Sequence, residues 1–91
     1  MKIKQSGYFS RSVKKLHAQE KSVLDDAVRQ LIENPVLGEL RGDLASVRVY
    51  KFKFNIDKML LAYFYQPDIE TITLLAYGSH ENFYRDLKKN I

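Results

Sequence analysis

At 91 residues the chain is bounded to one domain, and a hydrophobic fraction of 45% is enough for a modest core and too high for a disordered chain. There is no cysteine, and His17 and His80 are the two histidines, which excludes a disulfide framework, a thiol nucleophile and a Cys/His zinc centre; no metal and no cofactor is expected. The net charge of +4 points to a polyanion or an acidic protein as partner.

No apolar run approaches the ~20 residues that span a bilayer. The opening Met1-Lys2-Ile3-Lys4-Gln5 lacks the apolar stretch of a leader peptide, so a soluble cytoplasmic protein with no membrane partner is expected. The positive charge is unevenly spread. Residues 41–58 carry Arg41, Arg48, Lys51, Lys53 and Lys58 against Asp43 and Asp57, the densest basic segment of the chain.

In chain order, a short strand is read at Ile3. A helix follows from about Gly7 to His17, with Phe9, Val13 and Leu16 at helical spacing, basic residues between them and Ser6 as a cap. A second helix is predicted from about Gln19 to Glu33. Val23, Leu24, Ala27, Val28, Leu31 and Ile32 make its apolar stripe, and Asn34-Pro35 ends it. Two helices joined by so few residues form a hairpin. Residues 35–44 are read as loop, punctuated by Pro35, Gly38 and Gly42. The period then changes to two. Strands are predicted at Val47–Phe54, Lys58–Gln66 and Ile69–Tyr77, joined by short turns at Asn55-Ile56-Asp57 and Pro67-Asp68 into an antiparallel meander. A last helix starts near Ser79 and carries Phe83, Leu87 and Ile91. The order β-α-α-β-β-β-α makes a single α+β domain over 1–91, with a helical hairpin packed on a twisted antiparallel sheet.

Two pairs of residues carry chemical interest. On Val47–Phe54, alternation puts Tyr50, Phe52 and Phe54 on one side and Val47, Val49, Lys51 and Lys53 on the other. The aromatic set belongs to the core, so the two ammonium groups stand on the opposite face, spaced to hold a phosphodiester or simply to solvate the surface. In the last helix His80 and Tyr84 are four apart and share a face. Imidazole suits proton transfer near neutral pH, and a phenol can stack on a base or donate a hydrogen bond. On spacing alone, a surface or capping role is the commoner one for an isolated histidine near a helix start. The tyrosines of the middle strand, and Tyr77 with them, fit packing more often than base stacking, and His17 falls in a turn with no clear partners.

The runs Gly42-Asp43-Leu44, Val47-Arg48-Val49-Tyr50-Lys51-Phe52-Lys53, Leu60-Leu61-Ala62-Tyr63 and Gly78-Ser79-His80-Glu81-Asn82-Phe83-Tyr84-Arg85-Asp86-Leu87 together resemble RelE/ParE-type toxins of type II toxin–antitoxin systems. Each run is short; their order and spacing across the chain carry the likeness. Tyr50-Lys51-Phe52-Lys53 is similar to the Tyr-Lys-x-Lys strand of RelE-type ribosome-dependent ribonucleases, and Gly78-Ser79-His80 with Tyr84 resembles the end of the YafQ-like branch. The resemblance implies a metal-independent endoribonuclease, an mRNA interferase that inhibits translation. In it His80 would transfer protons, Tyr84 would stack on or orient the nucleotide, and Lys51 and Lys53 would hold the phosphate. The RelE type also has an arginine on the central strand, where this chain has Met59-Leu60-Leu61-Ala62, and an arginine before its terminal tyrosine, where this chain has His80. Transition-state charge would then fall to Lys51, Lys53, Arg48 or Arg85. The resemblance further implies a cognate antitoxin with an acidic or wrapping segment, and mRNA on the ribosome as target. It leaves open a ParE-like inhibitor of DNA gyrase without chemistry of its own, and an inactive relative that only binds antitoxin.

Overall fold

The two periodicities of the sequence, near 3.6 and then 2, become two helices laid on a sheet. The computed structural model, which describes residues 1–42, 46–80 and Phe83, runs β1 (Lys2–Gln5), α1 (Gly7–Lys14), α2 (Ala18–Glu33), β2 (Glu39–Arg41), β3 (Val47–Phe54), β4 (Asp57–Gln66) and β5 (Thr71–Ser79). A 3-10 turn at Pro67–Ile69 joins β4 to β5. Ser6 caps α1 as its side chain allows: the hydroxyl accepts from the Phe9 amide at 3.1 Å, supplying one of the donors that a helix start leaves unpaired. The apolar stripe of α2 buries Leu24, Ala27 and Leu31. Asn34 closes that helix with its amide on the Gln30 carbonyl, ahead of Pro35.

The five strands lie in the order β1-β5-β4-β3-β2, with β4 in the middle. Three neighbouring pairs are antiparallel, but β1 runs parallel to β5, so the sheet is mixed rather than wholly antiparallel. Parallel neighbours need a long crossover, and here almost the whole chain lies between them. The expected loop over 35–44 also contains a strand: Glu39, Leu40 and Arg41 pair with Val49, Arg48 and Val47. The third strand of the meander starts at Thr71 rather than Ile69, because the turn before it is a 3-10 turn ending at Glu70 in the left-handed region. Ser79, expected to cap the last helix, is the final residue of β5. His80, expected inside that helix, lies in a turn after β5, and the other residues expected to form it lie outside the described ones, apart from Phe83, which is buried.

Each face of the sheet has its own cluster. Toward the helices, Phe9, Leu24, Ala27 and Leu31 meet Met59, Leu61, Tyr63, Ile72, Leu74 and Tyr77, with Tyr50, Phe52 and Phe54 packed around them. On the opposite face Val47, Val49, Leu60, Ala62, Leu75, Ala76 and Phe83 form a second cluster, flanked by Tyr8 and Phe64. Alternation along β5 is interrupted once. Ala62 pairs with Ala76 and Tyr63 with Leu74, so Leu75 is an extra residue, a β-bulge. Leu75 and Ala76 both join the second cluster, whereas Leu74 and Tyr77 face the helices. Ser6 holds the bulge from the neighbouring chain segment: its amide donates to the Leu74 carbonyl at 2.9 Å and its hydroxyl to the Leu75 carbonyl at 2.8 Å.

The segment after α2 is fastened by Tyr63. The Tyr63 hydroxyl donates to the Pro35 carbonyl at 2.8 Å and accepts from the Gly38 amide at 2.9 Å. Only glycine fits at position 38, because a Cβ there would come within 2.8 Å of the Tyr63 ring and hydroxyl and 3.0 Å of the Val49 backbone. Among the described residues, no helix is long and apolar enough to cross a membrane.

Candidate functional site

Strand register brings cations and a histidine together on the face opposite the helices. Lys51 and Lys53 alternate with the core-facing Tyr50, Phe52 and Phe54, so they share the side of Val47 and Val49. On β4, Met59 and Leu61 face the helices, so Lys58, Leu60 and Ala62 face the other way. Lys53 stands directly opposite Lys58, and the His80 amide donates to the Lys58 carbonyl at 3.2 Å, which makes His80 the next position in the same row. The row behind it is Lys51, Leu60 and Gly78, and the one behind that is Val49, Ala62 and Ala76.

With strands about 4.8 Å apart, the row from Lys53 to His80 spans about 10 Å, and adjacent rows on one face are about 7 Å apart. Lys51, Lys53, Lys58 and His80 are exposed, and the second cluster forms the apolar floor behind them. No carboxylate of the described residues pairs with any of these lysines. The result is a basic margin with an imidazole at one end, beside the buried second cluster, in which the Phe83 ring lies near Gly78.

His80 reaches this face because of the bulge. Leu74 faces the helices; uninterrupted alternation would send Ala76, Gly78 and the position of His80 the same way. The extra residue at Leu75 turns them to the lysine side and gives Tyr77 to the helix side.

Arg48, expected among the phosphate-binding residues, is not brought to the lysines. It falls in the alternating set of Tyr50 and Phe52, and its guanidinium donates to the carbonyls of Gly38 at 2.9 Å and Val36 at 3.4 Å, holding the segment that Tyr63 also fastens. Tyr84 and Arg85 lie outside the described residues. Lys58, which the sequence marks only as part of the basic segment, also stands in this row. The signal was available: it is two residues before Leu60 in a strand, and a tight hairpin sets it against Lys53.

The tyrosines of β4 and β5 serve structure. The Tyr77 hydroxyl donates to Glu20 Oε2 at 2.5 Å, and burial together with that carboxylate pushes its pKa well above the ordinary 10.0. Phe52 stacks on Tyr77, with ring centroids 6.0 Å apart. Burial also raises the Tyr63 pKa, opposed by the Gly38 amide bond and the Arg48 charge. Neither phenol gives up a proton near neutral pH, and both lie on the helix side of the sheet, away from the lysines. His17 is exposed at the start of α2, away from this row, and makes no side-chain capping bond. Among the described residues no cluster of three or more His, Cys, Asp or Glu side chains is placed to hold a metal ion.

Solved structures share this architecture. The toxin in the intact E. coli RelBE toxin–antitoxin complex superposes with a TM-score of 0.72 at 18% identity, covering 88% of this chain and 96% of that chain. The isolated E. coli RelE toxin gives a TM-score of 0.70 at 17% identity, with 99% and 98% covered. An E. coli RelE mutant with two arginines changed to alanine, in the free state, gives 0.74 at 16% identity, with 98% and 90% covered. No curated protein matches the chain in sequence. The profile of the ParE-like toxins of type II bacterial toxin–antitoxin systems, however, matches residues 3–88, and with the α+β fold of RelE this assigns the family: the chain belongs to the ParE-like toxins, within the RelE/ParE superfamily.

Proposed function

We propose that this toxin is an mRNA interferase, a metal-independent endoribonuclease that cuts mRNA on the ribosome. The observation that carries the reading is the shared face of Lys51, Lys53 and His80 at one end of the sheet. RNA cleavage by its own 2′-hydroxyl forms the O2′–P bond and breaks the P–O5′ bond, leaving a 2′,3′-cyclic phosphate. One proton leaves the 2′-hydroxyl and one arrives at the 5′-oxygen. His80 is the proton-transfer group, Lys51 and Lys53 hold the phosphate, and Tyr84 stacks on or orients the nucleotide, with Arg85 as a further cation beside it. These roles need preorganised charge and a proton carrier near neutral pH, which the basic margin and the imidazole supply. The toxin works in the cytoplasm and is held inactive by a cognate antitoxin. The E. coli complex supports such a partner by likeness of fold, and the basic face suits an acidic wrapping segment.

A second reading, a DNA gyrase inhibitor without chemistry, is favoured by the ParE-like family description, since one fold hosts both activities. One experiment separates them. Wild type and His80→Ala, matched for folding by circular dichroism, are added to a translating extract and mRNA ends are mapped. Cuts within ribosome-bound mRNA that disappear in His80→Ala support the interferase. Intact mRNA, with gyrase-dependent DNA breaks that His80→Ala still produces, overturns it.

A further inference from the structure

We propose that Lys58 binds the phosphate under attack, standing between the holding lysines and the proton-transfer histidine; this rests on the interferase reading. Lys58 is the middle of its row. Lys53 faces it across β3–β4, and His80 is hydrogen-bonded to its carbonyl on the other side at 3.2 Å. Its side chain projects opposite to Met59, which is in the helix-side core, and so onto the face of Lys51 and Lys53. The lateral position is closely set, because Phe54 pairs with Asp57 around a loop of only Asn55 and Ile56, with Asn55 at φ 56°. Asp57, its acidic neighbour, pairs with Phe54 and alternates to the helix side of the sheet.

A pair of lysines directly opposite in a sheet is unfavourable by itself. Here the pair has a third lysine one row away and no carboxylate partner among the described residues. A bound phosphodiester relieves that repulsion, as an apolar or cationic ligand does not. Position then divides the labour. A phosphate seated at Lys58 lies next to His80, whereas Lys51, a row back and on the far strand, meets a neighbouring phosphate. Lys58 is therefore the cation nearest the charge that builds up on the pentacoordinate phosphorus, while Lys51 contributes to holding the strand.

The test is single-turnover cleavage on mRNA-programmed ribosomes, with toxin varied to saturation, for wild type, Lys58→Ala, Lys58→Arg and Lys51→Ala. Lys58 is exposed, so loss of folding is not expected, and a thermal melt of each variant checks it. The expected result is a rate at saturation about 100-fold lower in Lys58→Ala, largely recovered in Lys58→Arg, with Lys51→Ala acting mainly on the concentration needed for half-saturation. If wild type cleaves and Lys58→Ala matches its saturating rate, or changes only the half-saturation point, the inference is overturned while the interferase reading stands. If wild type leaves the mRNA intact, the interferase reading fails and the inference with it.

Discussion

Removing a single oxygen from Tyr63 tests the account of how the segment after α2 is held. Tyr63 is fully buried, and its hydroxyl bridges the Pro35 carbonyl and the Gly38 amide. Tyr63→Phe keeps the ring and deletes both bonds. The Gly38 amide is buried, so leaving it without a partner costs about 1–3 kcal/mol, and the half-exposed Pro35 carbonyl adds about 0.5–1.5 kcal/mol. The expected loss is thus about 3 kcal/mol, or a fall in Tm of about 12–24 °C for a domain of this size. Urea titration followed by circular dichroism measures it, with Tyr65→Phe as control, since Tyr65 is half-buried and makes no hydrogen bond through its hydroxyl among the described residues. Because Arg48 donates to the Gly38 carbonyl, Tyr63 and Arg48 grip the same short segment, and a cycle with Arg48→Ala is expected to give an interaction energy above about 0.5 kcal/mol. A Tyr63→Phe protein within about 0.5 kcal/mol of wild type would refute the reasoning, since that is the size of an ordinary surface change.

Ser6→Ala removes the cap of α1 and the hydrogen bond to the bulge together; a loss of about 1–3 kcal/mol in urea titration is expected, and Ser6→Thr should recover most of it. Gly38→Ala places a methyl group 2.8 Å from the Tyr63 hydroxyl and is expected to destabilise by about 1–3 kcal/mol, read as a lower urea midpoint at unchanged slope. Tyr77 releases its proton less readily in the folded chain than in the unfolded one, so its contribution is intact below the ordinary value of 10.0 and shrinks as the pH rises beyond it, by up to about 1.4 kcal/mol per pH unit. Alkaline unfolding curves of Tyr77→Phe should therefore fall less steeply above pH ~10 than those of wild type.

What could be read before the structure was local. Ser6 as a cap, Asn34-Pro35 as a stop and the two-sided pattern of β3 each follow from a few neighbouring residues, and each stands in the fold. What escaped depended on distant partners. Glu39–Arg41 is too short to show a period and becomes a strand because β3 offers an edge, and β1 finds β5 across nearly the whole chain. Arg48 looked like one more cation of a basic segment, yet alternation already put it with the core aromatics, and the carbonyls of Val36 and Gly38 occupy it. Lys51 and Lys53 could be paired from sequence alone. From the residues alone, joining them to His80 needed the β3–β4–β5 register, whereas the short hairpin already sets Lys58 against Lys53. The expected partners of His80, Tyr84 and Arg85, fall outside the described residues.

The extra residue at Leu75 reverses the parity of everything after it on β5. On the helix side sit Ile72 and Leu74 before the bulge and Tyr77 after it, while the opposite face takes Leu75, Ala76 and the positions that alternate with Ala76. Run through the same residues without the bulge, the strand would exchange the two sets beyond Leu74 and bring Tyr77, not His80, to the lysine side. The bulge thus selects which half of the last strand's residues chemistry can draw on, leaving the other half to the core. Two members of this family with the same residues along this strand would therefore present different groups to the same basic margin if one bulges and the other does not.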